Sequence, residues 1–149
     1  MKKLIILPTY NESKNIKKTI ELINNQQSGS DILVIDDNSP DGTARKVEDL
    51  KLKNIFLIER GSKQGLGSAY VKGFKWALSN NYDRIIQMDA DLSHDPIEIN
   101  PMFELLDNND LVIGSRYIGG LRVINWPVSR LYISSVSYTH LRAHETIAD

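Results

Sequence analysis

The sequence predicts an α/β fold: a doubly wound, mostly parallel sheet with helices on both faces. Three observations predict it. Short apolar runs rich in β-branched residues recur along the chain, and continuous runs of that kind suit strands covered on both faces. Between them lie segments with apolar residues at helical spacing. Each run ends abruptly at proline, glycine or an acidic residue.

In order, Leu4 to Leu7 is the first run, stopped by Pro8. Ile16, Ile20 and Ile23 then recur at spacings of four and three, giving one apolar helix face. Ile32 to Ile35 is the second run, stopped by Asp36-Asp37. Ser39-Pro40 reads as an N-cap followed by proline at the first helical position, predicting a helix to about Leu50. Ile55 to Ile58 is the third run, stopped by Glu59-Arg60-Gly61. Leu66, Ala69, Tyr70, Gly73 and Ala77 mark the next helix. Arg84 to Met88 is the fourth strand, Asn100-Pro101 opens a helix carrying Phe103 and Leu106, and Leu111 to Ile113 is a fifth strand stopped by Gly114.

Length and composition narrow the function. A chain of 149 residues is one domain. Its 18 basic and 19 acidic side chains create no global basic field, so nucleic acid is not an expected partner. Cysteine is absent, which excludes a disulfide framework, a thiolate metal site and a cysteine nucleophile, and fits a reducing compartment. No apolar run reaches the ~18–20 residues that cross a bilayer.

In open α/β sheets, ligands bind beyond the carboxyl ends of the strands. The sharpest feature there is Asp89-Ala90-Asp91. Side chains at i and i+2 share a direction on an extended strand, so two carboxylates point the same way. They repel unless a cation sits between them, and a hard divalent ion shares such ligands with phosphate oxygens. The same aspartates also suit a turn or a helix cap. Asp36-Asp37 offers a carboxylate to a nucleobase or ribose, whereas Ser39 and Asp41 read as cap and turn residues. Arg116 either grips a phosphate or pairs with a surface acid. Tyr10 either stacks on a base or covers the sheet edge. Glu12 is a ligand contact or a first-turn acid that complements the helix dipole. The Gly61, Gly65 and Gly67 segment lacks the lysine of a phosphate loop and reads as a flexible loop with tight helix packing. His94, beside Asp95-Pro96, reads as a turn residue, and no nucleophile–histidine pattern is present.

Pro8-Thr9-Tyr10-Asn11-Glu12, Val34 to Thr43, Gly65 to Tyr70, Met88 to His94 and Gly114-Ser115-Arg116-Tyr117 occur in that order. Together they resemble family 2 glycosyltransferases of the GT-A fold, and within them the polyprenol-phosphate (dolichol-phosphate) mannosyltransferases. The resemblance covers about residues 3 to 133. It implies that Pro8, Tyr10, Glu12, Ile35 and Asp37 hold the nucleoside of GDP-mannose. It implies that Asp89, Ala90 and Asp91 meet the diphosphate and a Mg²⁺ or Mn²⁺ ion. Asp91 would ligate the metal directly, Asp89 would share it, and Ser93 stands where the family often has a longer glutamine ligand. Asp89, Asp91 and Arg116 would serve the reaction itself, Arg116 through the phosphates or the acceptor.

The implied activity is metal-dependent, inverting transfer of mannose to a polyprenol phosphate at the cytoplasmic membrane surface, with the protein peripheral. The alternatives are transfer of another sugar, such as glucose from UDP-glucose, and a truncated fragment that binds a nucleotide sugar without catalysis. The catalytic domain is expected over 1–134, incomplete at its C-terminal side. Ser137-Tyr138-Thr139-His140-Leu141-Arg142-Ala143-His144-Glu145-Thr146 resembles read-through of a sequencing adapter, so 135–149 is expected to be a non-native tail.

Overall fold

The computed structural model describes residues 1–114. Four strands, β1 (Lys3–Thr9), β2 (Asp31–Asp36), β3 (Ile55–Glu59) and β4 (Arg84–Gln87), form one sheet in the order β3-β2-β1-β4. Every pairing is parallel. Parallel neighbours need crossovers, and helices supply them: α1 (Ile16–Asn25), α2 (Thr43–Glu48) and α3 (Leu66–Ser79). After β4 a short 3₁₀ turn, Pro96–Glu98, leads into α4 (Ile99–Leu105).

The alternation of side chains along each strand divides the core into two layers. Ile5 and Leu7 of β1 and Ile32 and Val34 of β2 pack with Ile16, Ile20 and Ile23 of α1, Val47 of α2 and Phe103 of α4. Leu4, Ile6, Leu33 and Ile35 face the other way, onto Ala69 and Ala77 of α3. All eight strand residues are fully buried, which is why the runs are apolar without alternation. Gly73 is where α3 comes closest to the sheet: a Cβ there would lie 2.9 Å from Ile6 and 3.0 Å from Ile35. The tight helix packing expected of Gly61, Gly65 and Gly67 is therefore at Gly73, since a Cβ at those three positions would meet nothing.

The sequence-based boundaries need three corrections. Leu111 to Ile113 is not a strand; Leu111 and Ile113 are 75% and 77% exposed. An apolar run becomes a strand only where a sheet edge receives it, and among the described residues β4 pairs with β1 alone. The second helix begins at Thr43, because Gly42 at its N-cap takes a left-handed φ of 81°; Asp41 accepts from the Thr43 amide, while Ser39 accepts from the Asn11 amide of the first loop. The fourth helix follows a turn opened by Pro96, where the Asp95 carboxylate accepts from the Ile97 amide at 3.1 Å; Asn100-Pro101 already lies inside the first helical turn.

The register brings the chemistry to one edge. Pro8 is level with Ile35 and Thr9 with Asp36, so β1 and β2 end together. Ile6 is level with Gln87, and Met88 N–H continues the ladder to the Ile6 carbonyl, so the chain after β4 emerges beside the end of β1.

Candidate active site

Three loops meet at this edge. The first, residues 10–15, leaves β1 with Asn11 in the left-handed region at φ 60°. It carries Tyr10, 38% exposed, and Glu12, half-buried. Lys63 Nζ, from the loop after β3, stands 4.0 Å from the centre of the Tyr10 ring, a cation–π contact.

The second loop follows β2, and its two aspartates are consumed by the fold. Asp36 is fully buried and accepts from Thr9 Oγ1 at 2.8 Å, Ser39 Oγ at 2.7 Å and Ser39 N–H at 2.8 Å. Asp37 is 6% exposed. Its Oδ1 accepts from Nε and Nη2 of Arg60, and its Oδ2 accepts from the amides of Gln64 and Gly65 at 3.1 and 3.2 Å. Arg60, equally buried, spends its remaining donors on Ser68 Oγ at 2.7 Å and the Gly65 carbonyl at 2.9 Å. A buried ion pair of this kind persists only when its other hydrogen-bonding sites are satisfied, and here they are. The carboxylate that Asp36-Asp37 offered to a base or ribose is thus engaged within the protein at both positions. Ile35, expected to touch the nucleoside, is fully buried, main chain included, under α3 and between β1 and β3, so it can support the site only from the core; Pro8, level with it, is half-buried.

The third loop carries Asp89 and Asp91, and here the carboxylates remain accessible. The Asp89 side chain is 39% exposed. Tyr70 O–H donates to its Oδ1 at 3.3 Å, and His94 Nε2 lies 3.9 Å from its Oδ2. His94 Nδ1 accepts the Asp89 amide at 3.0 Å, which leaves the proton of a neutral ring on Nε2, facing the carboxylate. The turn residue expected at His94 therefore also orients Asp89. Burial, then the Asp89 charge and the hydrogen bond to it, push the Tyr70 hydroxyl pKa well up, so it remains a donor. Asp91 is half-buried and accepts from the Ser93 amide at 2.9 Å, with Leu92 between them at φ 63°. Ala90 is buried, and its carbonyl accepts from Thr19 Oγ1 of α1 at 3.0 Å. Arg116 lies outside the described residues, as does the segment 135–149.

The donor set suits a hard divalent cation. Burial raises the Glu12 pKa, against the hydrogen bond from Asn15, and the charges of Asp91, Asp41 and Asp89 raise it further. Carboxylates from three loops therefore bear on one another electrostatically. Among the described residues no three His, Asp or Glu side chains form a complete cage. A site of that kind fits Mg²⁺ or Mn²⁺, which take one or two carboxylates and complete their shell with phosphate oxygens and water. Sequence reasoning missed Arg60, Thr19 and Thr43. Thr19 did leave a signal: it is a hydroxyl on the apolar face shared by Ile16, Ile20 and Ile23.

The glycosyl transferase family 2 model matches residues 4–147. The chain is 42% identical over 139 residues to the undecaprenyl-phosphate mannosyltransferase of Micrococcus luteus, covering 90% of this chain and 56% of that protein. It is 41% identical over 143 residues to the polyprenol monophosphomannose synthase of Mycolicibacterium smegmatis, covering 93% and 54%. With the dolichol-phosphate mannosyltransferase of Pyrococcus furiosus it shares 42% identity over 138 residues, covering 90% and 38%. The chain thus spans between 38% and 56% of these relatives' lengths. Among solved structures it resembles the mannosyltransferase PcManGT from Pyrobaculum calidifontis in complex with GDP-Man and Mn²⁺, with TM-score 0.54, 25% identity and coverage of 60% of this chain and 27% of that one. S. aureus TarS 1–349 in complex with UDP shares the fold, with TM-score 0.57, 23% identity and coverage of 72% and 32%. Parallel sheet, two-sided helices and these neighbours agree with a GT-A type α/β architecture. The chain belongs to glycosyl transferase family 2.

Proposed function

We infer that the protein transfers mannose from GDP-mannose to a polyprenol phosphate, with inversion and with the help of a divalent metal. The observation that carries this is the accessible Asp89 and Asp91 pair at the strand edge, in a chain whose relatives are named as polyprenol-phosphate mannosyltransferases. The acceptor phosphate oxygen attacks the anomeric carbon. A new C–O bond forms as the bond to the diphosphate breaks, and its electron pair leaves with the nucleoside diphosphate. One in-line displacement inverts the anomeric centre. A bound Mg²⁺ or Mn²⁺ would supply neutralisation of the charge that builds on the departing diphosphate.

The chain's own residues do the rest. Asp91 and Asp89 would hold the ion, with Ser93 near enough in sequence to add a hydroxyl or a bound water. Tyr70 and His94 orient the Asp89 carboxylate. Tyr10, backed by Lys63, would present an aromatic face for a base, Pro8 and Glu12 would contact the nucleoside beside it, and Ile35, fully buried, would support them from the core. Asp37 would contribute through the loop it fixes, since both its oxygens are engaged. Arg116 is assigned to the diphosphate or the acceptor. The acceptor phosphate is already anionic near neutral pH and needs no general base. A lipid acceptor places the protein at a membrane surface, and among the described residues no helix is long and apolar enough to cross one.

The test is a transfer assay on the full chain with GDP-mannose, Mn²⁺ and polyprenol phosphate, beside UDP-glucose. Mannose transfer that Asp91→Ala reduces at least ~100-fold is expected, the scale of removing a group that stabilises the leaving charge. Undiminished transfer by Asp91→Ala would remove the metal role. Because the chain spans about half of its bacterial relatives, binding without turnover is the second reading, and calorimetry with GDP-mannose on the same sample separates the two.

A further inference from the structure

We propose that Ser39, Asp41 and Thr43 are positioning residues that shape the donor-binding segment Tyr10–Glu12 by capturing three consecutive main-chain amides. The inference rests on the reading of Tyr10 and Glu12 as donor contacts. Asn11 N–H donates to Ser39 Oγ at 2.9 Å, Glu12 N–H to Thr43 Oγ1 at 3.0 Å and Ser13 N–H to Asp41 Oδ2 at 2.9 Å. Lys46 Nζ closes the set by donating to the Ser13 carbonyl at 2.7 Å. Every partner lies 28 to 33 residues away in sequence.

The directions of these bonds are fixed by what lies behind them. Thr43 donates its own hydroxyl hydrogen to Asp41 Oδ1 at 2.6 Å, so its lone pairs face the Glu12 amide. Ser39 donates to Asp36 Oδ1 at 2.7 Å and is likewise left as an acceptor. Each hydroxyl therefore passes a polarised bond from a loop amide to a carboxylate, an arrangement in which the bonds strengthen one another. An ordinary N-cap bonds an amide two or three residues ahead in its own helix. Asp41 does this once, to the Thr43 amide at 3.1 Å, but its other oxygen and the two hydroxyls reach across to the first loop.

The captured loop needs such support. Asn11 holds a left-handed φ of 60°, a turn conformation that asparagine tolerates and few other non-glycine residues adopt. Left to water, the three amides would let the loop relax, and Tyr10 and Glu12 would lose their fixed placement on either side of the turn. Thr43 is the centre of the clamp and is fully buried, so its bond to Glu12 is shielded from competing water.

The test uses the full chain, with calorimetric titration of GDP in the presence of Mn²⁺ and a thermal midpoint for each variant. Thr43→Val keeps the shape and removes the hydroxyl; Thr43→Ser keeps the hydroxyl. Thr43→Val is expected to weaken GDP binding about 10-fold or more, as loss of a supporting contact does around a bound group, and Thr43→Ser to stay within about 3-fold of the wild type. In the transfer assay the change falls on KM for the donor and leaves kcat near its original value. Ser39→Ala, at a less buried position, keeps the question decidable where Thr43→Val does not fold; it is expected to weaken GDP binding about 3-fold. GDP binding by folded Thr43→Val equal to the wild type, or by Ser39→Ala where the first variant is unfolded, overturns the inference alone. A wild-type chain that binds neither GDP nor UDP overturns the reading of the donor site, and the inference with it.

Discussion

Asp36-Asp37 and Asp89-Ala90-Asp91 stand at the ends of β2 and the extension of β4, on either side of β1, yet the protein treats them in opposite ways. The first pair is buried, and all four carboxylate oxygens accept from the protein, two of their donors on one arginine. The second pair is half-exposed, and the contacts to Asp89 are long, at 3.3 and 3.9 Å. A carboxylate already saturated by the protein has nothing left for a ligand; Asp89, held by long contacts at an accessible edge, does. What decides between architecture and chemistry is the supply of donors around each residue, not the residue type.

The largest effect that could break this contrast is on stability at Arg60. Arg60→Met leaves the Asp37 charge buried without its partner and is expected to cost ~3–5 kcal/mol in denaturant unfolding. Asp89→Asn, by contrast, is expected to change stability by less than ~1 kcal/mol, because the side chain is solvated, while lowering transfer strongly. Equal losses of stability at the two sites would erase the distinction.

A smaller effect is expected at Thr19. Its hydroxyl hydrogen is shared between the Ala90 carbonyl at 3.0 Å and the Asn15 carbonyl at 3.1 Å, and the side chain is fully buried. Thr19→Val leaves the Ala90 carbonyl without that donor, at a cost of ~1–2 kcal/mol. Because Ala90 sits between the two aspartates, Mn²⁺-supported nucleotide binding is expected to weaken as well; Thr19→Ser should restore both.

The smallest effects are in pH dependence, and they have opposite signs. Slight burial works against the Asp41 carboxylate, yet hydrogen bonds from Thr43 and Ser13 hold its pKa down to about 2. Its folded pKa lies below the unfolded one, so its stabilisation is present above pH ~4 and is lost as pH falls toward 2. Glu12 is raised, chiefly by burial, so its ionisation costs stability as pH rises through the ordinary carboxylate range. In the metal-free chain Glu12→Gln should therefore stabilise at neutral pH, with the gain gone below pH ~4, whereas Asp41→Asn should destabilise at neutral pH and converge with the wild type near pH 2. Thermal midpoints across pH 2–7 check both signs.

Four strands and the identity of the helices between them could be read from the chain, because burial on both faces makes an apolar run and burial on one face makes a helical period. The fifth run misled, since Leu111 to Ile113 has the composition of a strand but pairs with no strand among the described residues. At the site, the spacing of Asp89 and Asp91 drew attention to them, although β4 ends at Gln87 and both lie in the loop beyond it, not on an extended strand. Asp37 did not announce Arg60, which reads in sequence as one more polar residue ending a strand and is 23 positions away. Thr43 read as an ordinary residue of the Asp-Gly-Thr turn, and its bond to the Glu12 amide spans 31 positions.

What the amino-acid order determined by itself is local: where strands and helices form, where they stop, and that acidic and aromatic residues gather after the strands. Those features follow from the period of burial and from turn chemistry, which act over a few residues. Which aspartates are spent on the fold and which stay accessible was decided by tertiary structure alone. A hydrogen-bond donor supplied from 20 or 30 residues away leaves no trace in local pattern, and only the parallel packing of β1, β2 and β3 brings it within reach.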